Sequence, residues 1–493
     1  MKSLRKDAVV IGAGPAGMAA AIALKEEGID RVLLLEREEC AGGILNQCIH
    51  DGFGLVAFDR NYTGPEYADI YIKRLRDSGV EILTGVMVTE IRMAGSGGGN
   101  DGADAGKADT EGICEKKIVA RTRSGEVVYN AKSVILATGC REKPRGAMAI
   151  PGSRPAGIYT AGTAQNFVNL QNLLPGTKAV ILGSGDIGLI MARRLTLEGI
   201  DVLAVIEKEK TPGGLPRNVI QCLKDFDIPL VTGATVTNIF GRSRLTGIEV
   251  SDIAEDGSVL TGSGRIYGCD TLILSVGLIP ENEVGSAAGM LLDDRSGLPV
   301  TDDDGLTNLE GVYVCGNALF VHDLVDDVSL EGEHAGRCAA AWLKAGGAQN
   351  TGPARKSWSI DGQKQKMEGR RKSSGADSVI CILCPNSCEI TYDLKGAMCG
   401  KGLDYVRKEF LSPERTLTTS VKVINGERPL TSVRTSEAIP RELLREAMRM
   451  IGTIAIEAPV EVGQVIRSDF MKVGVDLLST CNIKKSMASS EPL

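Results

Sequence analysis

Short apolar runs alternate with glycine-rich turns and helical segments along most of the chain. The run Ala8–Ile11 has the length and composition of a buried strand, and a helix of small apolar residues follows it after a glycine turn. A second run, Arg31–Leu35, completes this unit. The same order returns with a strand at Lys178–Leu182, a helix at Leu189–Glu198 and a strand at Val202–Ile206. This alternation predicts an α/β fold with parallel sheets.

Other segments predict further strands. The residues Gly79–Arg92 and Lys116–Arg123 alternate in polarity. The stretch between them, 94–112, is too rich in glycine and aspartate to bury a core, so we expect a flexible hairpin tip there. Ser133–Gly139 and Asp270–Ile279 are apolar runs that contain or end at a glycine, and each predicts a buried strand.

The composition is that of a globular protein with several domains. The chain has 493 residues, of which 43% are hydrophobic and 24% are charged. A net charge of −7 and the lack of a basic stripe argue against nucleic acid as a partner. No apolar run approaches the roughly 18 residues that span a bilayer, and residues 1–7 lack the apolar core of a signal peptide. We therefore expect a cytoplasmic protein without a membrane span.

Gly12, Gly14 and Gly17 form the pattern G-x-G-x-x-G between the first strand and its helix. In this pattern one glycine makes the tight turn, another lets a pyrophosphate approach the backbone, and the third allows the helix to pack closely on the strand. The helix N-terminus offers unpaired N–H groups to the phosphates. Glu36 ends the second strand, where its carboxylate can accept hydrogen bonds from ribose hydroxyls. These features predict a dinucleotide site.

A second copy of the motif predicts a second dinucleotide. Gly183, Gly185 and Gly188 repeat the turn, and Glu207 repeats the terminal acid. A carboxylate there favours NAD over NADP, because it can bond the 2′-hydroxyl and would repel a 2′-phosphate. We therefore expect NAD(H), with NADP disfavoured and a Rossmann unit without a ligand as the remaining alternative.

These motifs resemble those of two-dinucleotide-domain flavoproteins of the pyridine nucleotide-disulfide oxidoreductase superfamily. The resemblance implies FAD in the first site. GVYVCGN, at 311–317, resembles a third FAD signature of the family, with Asn317 in place of an acid, so this contact lacks a charge. The FAD-binding residues implied are Gly12, Gly14, Gly17, Glu36, Arg37, Gly42, Gly43, Thr138, Gly139, Gly316 and Asn317.

Cys48 and His322 are the candidate catalytic residues. Cys48 resembles the flavin-proximal cysteine of disulfide reductases, but Gly43 stands where these enzymes carry a second cysteine. No C-x-x-C pair occurs between Pro151 and Gly277 either, so disulfide reduction is not expected. Cys48 is therefore a packed residue or a residue that tunes the flavin. His322 precedes a helix that in such folds points at the flavin, and it is a proton donor or a residue with only local hydrogen bonds.

The last part of the chain contains a cluster of cysteines. Cys381, Cys384 and Cys388 form C-x-x-C-x-x-x-C, and Cys399 follows. Four thiolates at this spacing suit an iron–sulfur cluster of the 4Fe–4S type, with zinc as the alternative. The other cysteines are scattered singly, which is not the pattern of a secreted disulfide framework.

The resemblance to known proteins covers most of the chain. GGILNQCIHDGFG (42–54) and CGNALFVHDLVDDV (315–328) resemble the NAD- and FAD-dependent subunit of glycerol-3-phosphate dehydrogenase systems, and 379–483 resembles a small cysteine domain that accompanies it. The implied fold has two Rossmann-like domains, as in glutathione and thioredoxin reductase but without a dimerisation domain, and a small C-terminal cysteine-rich α+β domain. The expected boundaries are 1–150 with 278–345 for the FAD domain, 151–277 for the NAD domain, 346–377 for a polar linker and 378–485 for the cysteine domain.

The implied activity is hydride transfer between NAD(H) and FAD, with single electrons passing through the cluster to or from a partner dehydrogenase. The resemblance implies glycerol-3-phosphate dehydrogenase as this partner. The alternatives are a stand-alone NADH oxidase, a subunit of an amine, opine or sarcosine-type dehydrogenase, and a non-catalytic redox sensor.

Overall fold

The computed structural model describes residues 4–93, 113–347 and 378–486. They divide into two compact units. Unit 1 contains the described residues 4–46, 53–93, 113–141 and 278–347, and unit 2 contains 47–52, 142–277 and 378–486. The expected hairpin tip at 94–112, and the expected linker apart from Gly346 and Gly347, lie outside the described residues.

The first part of the chain alternates strands and helices as the apolar pattern predicted. Its elements are β1 (Leu4–Ile11), α1 (Pro15–Glu26), β2 (Val32–Leu35), β3 (Asp51–Phe53), β4 (Tyr62–Thr63), α2 (Gly64–Ser78), β5 (Glu81–Leu83), β6 (Met87–Arg92), β7 (Lys116–Thr122), β8 (Gly125–Leu136) and β9 (Cys140–Glu142). Helix α2 begins at a capping box of Thr63 and Glu66 and ends at Gly79, which has a φ of 72°.

The middle of the chain repeats this alternation. Its elements are α3 (Arg145–Met148), β10 (Ile158–Thr160), α4 (Ala161–Leu170), β11 (Lys178–Leu182), α5 (Asp186–Leu197), β12 (Asp201–Glu207), α6 (Pro216–Cys222), β13 (Leu230–Thr232), β14 (Ala234–Gly241), β15 (Leu245–Asp252), β16 (Arg265–Tyr267), β17 (Thr271–Leu274) and β18 (Leu278–Pro280). In unit 2 a parallel sheet has the order β10-β17-β11-β12-β13, and β14, β15 and β16 form a separate antiparallel sheet.

The chain then returns to unit 1 with α7 (Glu283–Ala287), β19 (Val312–Val314) and α8 (Val325–Lys344). The sheet of unit 1 has the order β5-β2-β1-β8-β7-β6, and β19 also pairs with β8. The pairs β5–β2, β2–β1, β1–β8 and β8–β19 are parallel. The pairs β8–β7 and β7–β6 are antiparallel. Val9 of β1 pairs with Leu33 on one side and Val134 on the other, and all three are fully buried.

Helix α8 packs directly on α1 because it carries glycine at the contact. A Cβ at Gly332 would lie 2.1 Å from the carbonyl oxygen of Ala16, and a Cβ at Gly336 would lie 2.4 Å from that of Ala20. Any larger residue would push the two helices apart. None of the described helices combines the length and apolar character needed to cross a bilayer.

The residues 378–486 form a small α+β region. Its elements are β20 (Ser378–Ile380), β21 (Glu389–Thr391), α9 (Gly400–Leu411), β22 (Glu414–Arg415), β23 (Thr418–Ile424), β24 (Leu430–Thr435), β25 (Ile439–Pro440), α10 (Leu444–Ile451), β26 (Ala455–Glu457), β27 (Val465–Phe470) and β28 (Val475–Ser479). The sheet order is β26-β23-β24-β28-β27. The predicted fold class, two Rossmann-like folds with a small C-terminal domain, is confirmed.

This C-terminal region shares a hydrophobic core with the nucleotide-binding fold of unit 2. Val168 of α4 and Leu195 of α5 belong to the same buried cluster as Val421, Val433 and Ala447 of the C-terminal region. Each buried side chain of valine or leucine size contributes about 1.5–3 kcal/mol. The C-terminal region is therefore docked on the nucleotide-binding fold by apolar packing.

Two predicted elements were wrong in detail. The expected single strand at Gly79–Arg92 is two strands, β5 and β6, because Gly85 turns the chain between them with a φ of 66°. The segment IPRELLREAMRMI (439–451) also predicts a helix, and the observed α-helix is shorter. Pro440 has an extended ψ of 130° and cannot donate a backbone hydrogen bond, so regular helix starts only at Leu444.

Candidate functional site

The first glycine turn has two glycines that are sterically required and one that faces open space. Gly12 has a φ of 103°, and a Cβ there would lie 2.3 Å from the carbonyl oxygen of Ala137. A Cβ at Gly17 would lie 1.8 Å from the carbonyl oxygen of Gly12. No atom lies within 4 Å of a Cβ at Gly14, although Gly14 caps helix α1. The opening at Gly14 fits the approach of a pyrophosphate to the helix N-terminus.

Glu36 links this turn to the end of β2. It is 5% exposed, and its Oε2 accepts a hydrogen bond from the backbone N–H of Ala13 at 2.7 Å. Its Oε1 accepts from the backbone N–H of Glu38 at 2.9 Å. An ionised carboxylate has about four lone-pair sites. Each oxygen therefore keeps capacity for a ribose hydroxyl.

The pair Gly42–Gly43 covers the same turn. The backbone N–H of Gly42 donates to the carbonyl oxygen of Ala13 at 2.8 Å. A Cβ at Gly43 would lie 3.0 Å from Cα of Gly14. Gly43 therefore lies directly against the turn, and the loop brings two predicted FAD-binding residues to the opening at Gly14.

Three other predicted FAD-binding residues meet at Glu281. The exposed Arg37 forms an ion pair with the Glu281 carboxylate at 2.8 Å. The Thr138 hydroxyl donates to the Glu281 carbonyl at 2.6 Å, and the backbone N–H of Glu281 donates to the carbonyl of Gly139 at 2.9 Å. The structure therefore places Arg37, Thr138 and Gly139 together, with Glu281 as a partner that the sequence motifs did not reveal.

The second glycine turn in unit 2 has the same geometry as the first. Gly183 has a φ of 104°, and a Cβ there would lie 2.0 Å from the carbonyl oxygen of Ser275. A Cβ at Gly188 would lie 2.3 Å from the carbonyl oxygen of Gly183, whereas a Cβ at Gly185 would meet nothing within 4 Å. Glu207 is 9% exposed and accepts from the backbone N–H groups of Ser184 and Glu209, each at 2.9 Å.

The repeat of the nucleotide motif is longer than the glycine turn and terminal acid that the sequence motifs identified. The segments EREECAGGI (36–44) and EKEKTPGGL (207–215) carry an acid and a Gly-Gly pair at identical spacing. In the second copy the backbone N–H of Gly214 donates to the carbonyl of Ser184 at 2.8 Å, so the bond comes from the second glycine of the pair, whereas in the first copy it comes from Gly42, the first. The spacing was visible in the sequence and could have identified the second loop. Both nucleotide turns are therefore covered by a glycine loop.

Asn317 and His322 belong to one buried network in unit 1. The side-chain oxygen of Asn317 accepts from the backbone N–H of His322 at 3.1 Å. The His322 Nε2 lies 3.2 Å from Glu331 Oε2, which also accepts from the backbone N–H of Gly316 at 2.5 Å. The His322 side chain is 3% exposed, and its Nδ1 has no hydrogen-bond partner in the described chain. That unpaired nitrogen fits a group supplied by a cofactor, and Glu331 is a site residue that the motifs did not reveal.

Cys48 lies in unit 2 and is surrounded by amide side chains. Its Sγ lies 3.7 Å from Oε1 of Gln165. Burial raises the pKa of the Cys48 thiol to about 12, so the thiol stays protonated at neutral pH. This supports the packed-residue interpretation of Cys48.

A chain of polar contacts runs from this segment to the C-terminal sheet within unit 2. Gln47 Nε2 donates to Gln165 Oε1 at 3.1 Å, and Asn169 Nδ2 donates to the carbonyl of Gln47 at 2.8 Å. Arg194 Nε donates to Asn169 Oδ1 at 2.8 Å, and its Nη1 donates to the Thr419 hydroxyl at 3.1 Å. The segment 47–52 is thus held by α4, and α4 is tied through Arg194 to β23.

The four clustered cysteines surround the start of α9. A Cβ at Gly402 would lie 3.8 Å from Sγ of Cys381 and 3.9 Å from Sγ of Cys399. Burial raises the pKa of the Cys381 thiol to about 11. The hydrogen bond with the backbone of Leu383 opposes this rise, and repulsion from the thiolates of Cys384, Cys388 and Cys399 adds to it. The structure therefore brings the four predicted ligands into one neighbourhood.

The spacing of these sulfur atoms bears on the metal. Among the described residues, no three of the four lie within 4.8 Å of one another. A tetrahedral zinc ion with Zn–S bonds of about 2.3 Å holds its sulfur atoms about 3.8 Å apart. An iron–sulfur cluster binds each thiolate through a different iron and needs wider spacing. Any three of these sulfur atoms therefore include a pair that is wider than a zinc site holds.

The two nucleotide turns lie on Rossmann-like folds, and the proteins that this chain resembles are FAD-dependent NAD(P)H oxidoreductases. Residues 108–335 match the family of pyridine nucleotide-disulphide oxidoreductases, and residues 7–57 match the FAD binding domain family. These matches show what the first two thirds of the chain are similar to. Residues 400–481 match a family described only as a protein of unknown function, DUF1667.

The curated relatives include oxidase subunits and reductases. One opine oxidase subunit from Agrobacterium tumefaciens is 27% identical over 371 residues, which cover 71% of this chain and 68% of the relative. The corresponding subunit from Rhizobium meliloti is 24% identical, over 63% of this chain and 58% of the relative. Thioredoxin reductase of Listeria innocua is 25% identical, over 63% of this chain and 85% of the relative.

The solved structures show the same fold. Thioredoxin reductase of T. acidophilum aligns with a TM-score of 0.53 and 23% identity, over 68% of this chain and 98% of its own. The bacillithiol disulfide reductase Bdr of Bacillus cereus aligns with a TM-score of 0.51 and 19% identity, over 69% of this chain and 98% of its own. The expectation of a thioredoxin reductase-like architecture is confirmed.

Proposed function

We propose that this protein transfers hydride between NAD(H) and FAD and exchanges single electrons with a partner dehydrogenase through an iron–sulfur cluster on Cys381, Cys384, Cys388 and Cys399. The observation that carries the proposal is the hydrophobic core that the cysteine-bearing region shares with the second nucleotide fold. When bound, FAD accepts or donates a hydride and exchanges single electrons with such a cluster.

The residues of the chain bind and orient the two nucleotides. The opening at Gly14 admits a pyrophosphate, and Glu36 receives a ribose hydroxyl on its remaining lone pairs. Gly185 and Glu207 do the same for NAD(H). His322 is oriented by Glu331, and its unpaired Nδ1 would be available to bond a group of the bound FAD.

NAD(H) is the proposed nicotinamide cofactor because Glu207 is a buried carboxylate at the ribose position. A 2′-phosphate placed there would face like charge without solvent screening. We expect kcat/KM for NADH to exceed that for NADPH by at least about tenfold with a dye as acceptor. Equal values for the two nucleotides would overturn this assignment.

The cysteine site favours an iron–sulfur cluster over zinc because any three of its sulfur atoms include a pair more than 4.8 Å apart. Anaerobic purification followed by iron, sulfide and zinc analysis tests this point. Iron and sulfide in equal amounts are expected, and zinc alone would contradict the cluster.

The partner proposed from the sequence resemblance is a glycerol-3-phosphate dehydrogenase. The opine oxidase relatives favour a second candidate, in which the partner oxidises an opine. Both candidates use the same flavoprotein chemistry. They are distinguished by whether glycerol 3-phosphate or an opine reduces the flavin of this protein when it is purified with its partner.

The decisive experiment is the Cys384→Ser variant of the full chain. It should keep the reduction of dye by NADH and lose electron transfer to the partner, while Cys114→Ser keeps both activities. Loss of flavin bleaching by NADH in Cys384→Ser would contradict the proposed order of transfer. A wild-type preparation that stays yellow under excess NADH without oxygen would contradict the oxidoreductase itself.

A further inference from the structure

A second set of metal-ligating side chains lies in unit 1, away from the cysteine cluster in the sequence. Asp304, His334 and Cys338 each offer one ligand atom, and the three atoms lie within 4.8 Å of one another. His334 and Cys338 stand four residues apart on α8, so they share one helix face. Asp304 comes from the loop before β19.

The separations of these atoms match the edges of a tetrahedral metal site. His334 Nε2 lies 3.1 Å from Asp304 Oδ1 and 3.6 Å from Cys338 Sγ. Zinc bonds of about 2.1 Å to nitrogen and oxygen and about 2.3 Å to sulfur place tetrahedral ligands about 3.4 and 3.6 Å apart. A single ion can therefore bind all three atoms with little movement of the side chains.

The loop that carries Asp304 is fixed by its own hydrogen bonds. The Asp302 carboxylate accepts from the backbone N–H groups of Asp304 and Leu306 at 3.0 and 2.9 Å. Gly305 has a φ of 79°, and a Cβ there would lie 2.8 Å from the carbonyl oxygen of Val314. The loop therefore holds Asp304 close to α8, and Asp302 adds a second negative charge nearby.

We infer that Asp304, His334 and Cys338 bind a zinc ion. Imidazole with thiolate selects a borderline-soft ion such as Zn²⁺ over Mg²⁺ or Ca²⁺, which prefer oxygen ligands. Three protein ligands leave a fourth position for water or an exogenous ligand. Asp304 is exposed and the His334 side chain is 33% exposed, so an ion reaches the site from solvent. The bound ion would join the loop before β19 to α8.

The experiment measures the alkylation of Cys338 by iodoacetamide in the full-length protein under anaerobic conditions, with each cysteine quantified by mass spectrometry. Zn²⁺ should slow the alkylation of Cys338 at least tenfold, whereas Mg²⁺ should not change it. Cys114 in the same digest controls for a general effect of the metal on thiols.

The Asp304→Asn and His334→Gln variants complete the test. Both should lose most of the protection of Cys338 by Zn²⁺. Thermal unfolding of the metal-free variants checks that they fold, and Asp304→Asn changes only an exposed side chain. An unchanged rate with Zn²⁺ in the wild-type protein overturns the inference. Protection that persists in both variants overturns it as well, because Cys338 would then be shielded by zinc bound elsewhere.

Discussion

Arg415 and Asp225 form a buried bidentate ion pair in unit 2. Arg415 Nη2 donates to Asp225 Oδ1 at 2.9 Å, Nε donates to Oδ2 at 2.5 Å, and the two side chains are 3% and 2% exposed. Arg415 also pairs with Glu409 near the end of α9. Because α9 begins next to Cys399, this ion pair anchors the helix of the cysteine site to the nucleotide-binding fold.

Replacing Arg415 by methionine should lower the free energy of unfolding by about 3–5 kcal/mol, because it leaves buried carboxylates without their main cation. Urea denaturation followed by fluorescence measures this change. Arg441→Met is the matched control, since Arg441 also contacts Asp225, at 3.1 Å, but is 44% exposed. It should cost no more than about 1 kcal/mol. Equal losses in the two variants would show that Arg415 has no special role.

Gly14→Ala should separate the binding of FAD from folding. The new methyl group meets no protein atom within 4 Å, so the variant should fold normally. It should lose at least about tenfold in FAD affinity because the methyl group occupies the path of the pyrophosphate. Retained flavin per chain after gel filtration measures the effect. Gly12→Ala, with a φ of 103° and a steric clash, should instead yield little folded protein. Full retention of FAD by Gly14→Ala would contradict the assignment of this turn.

Gly185→Ala should affect only the second nucleotide. We expect an unchanged flavin content and a KM for NADH raised at least about tenfold, because Gly185 faces open space as Gly14 does. Steady-state reduction of a dye by NADH gives both constants. Gly268→Ala in the same unit is the control, since a Cβ there also meets no atom within 4 Å. An unchanged KM in Gly185→Ala would place NAD(H) elsewhere.

Lys116 should make the stability of unit 1 depend on pH in the alkaline range. Its side chain is almost fully buried, and its Nζ donates to the carbonyl of Lys132 at 2.7 Å. Burial lowers the pKa of Lys116 to about 8 from the ordinary value of 10.5. Between these values the unfolded chain binds more protons than the folded chain, so this contribution to stability rises with pH.

The Lys116→Met variant tests that dependence. It should remove the rise in stability above pH 8. At pH 7 the free energy of unfolding of the variant should exceed that of the wild-type protein by up to roughly 3 kcal/mol. The free energy of the lost hydrogen bond to Lys132 reduces this gain. Melting temperatures from pH 7.5 to 9.5 measure both effects, with Lys117→Met on the same strand as control. Parallel pH profiles for wild type and Lys116→Met would contradict the shifted pKa.

The glycine turns and their acids could be predicted from the sequence because each depends on local geometry. A φ near +103° at Gly12 and Gly183, and the close approach at Gly17 and Gly188, leave glycine as the residue that fits. The four cysteines were predictable for the same reason, since most of their spacing lies within one short loop. Local patterns of this kind do not depend on the rest of the fold.

Residues joined across long distances in sequence could not be predicted. Glu331 orients His322 and binds the N–H of Gly316 only because α8 packs against α1 at its glycines. Asp225 and Arg415 are separated by 190 positions, and neither belongs to a motif. A single sequence contains no signal for such pairs, because they form only when the tertiary packing is in place.

The core that α4 and α5 share with β23, β24 and α10 determines how the polypeptide can be divided. A protease cut between Gly347 and Ser378 would remove the covalent connection of the cysteine-bearing region but not its apolar contacts. The two fragments should then migrate together as a nicked complex. The same docking surface would serve equally well if the two regions were translated as separate polypeptides.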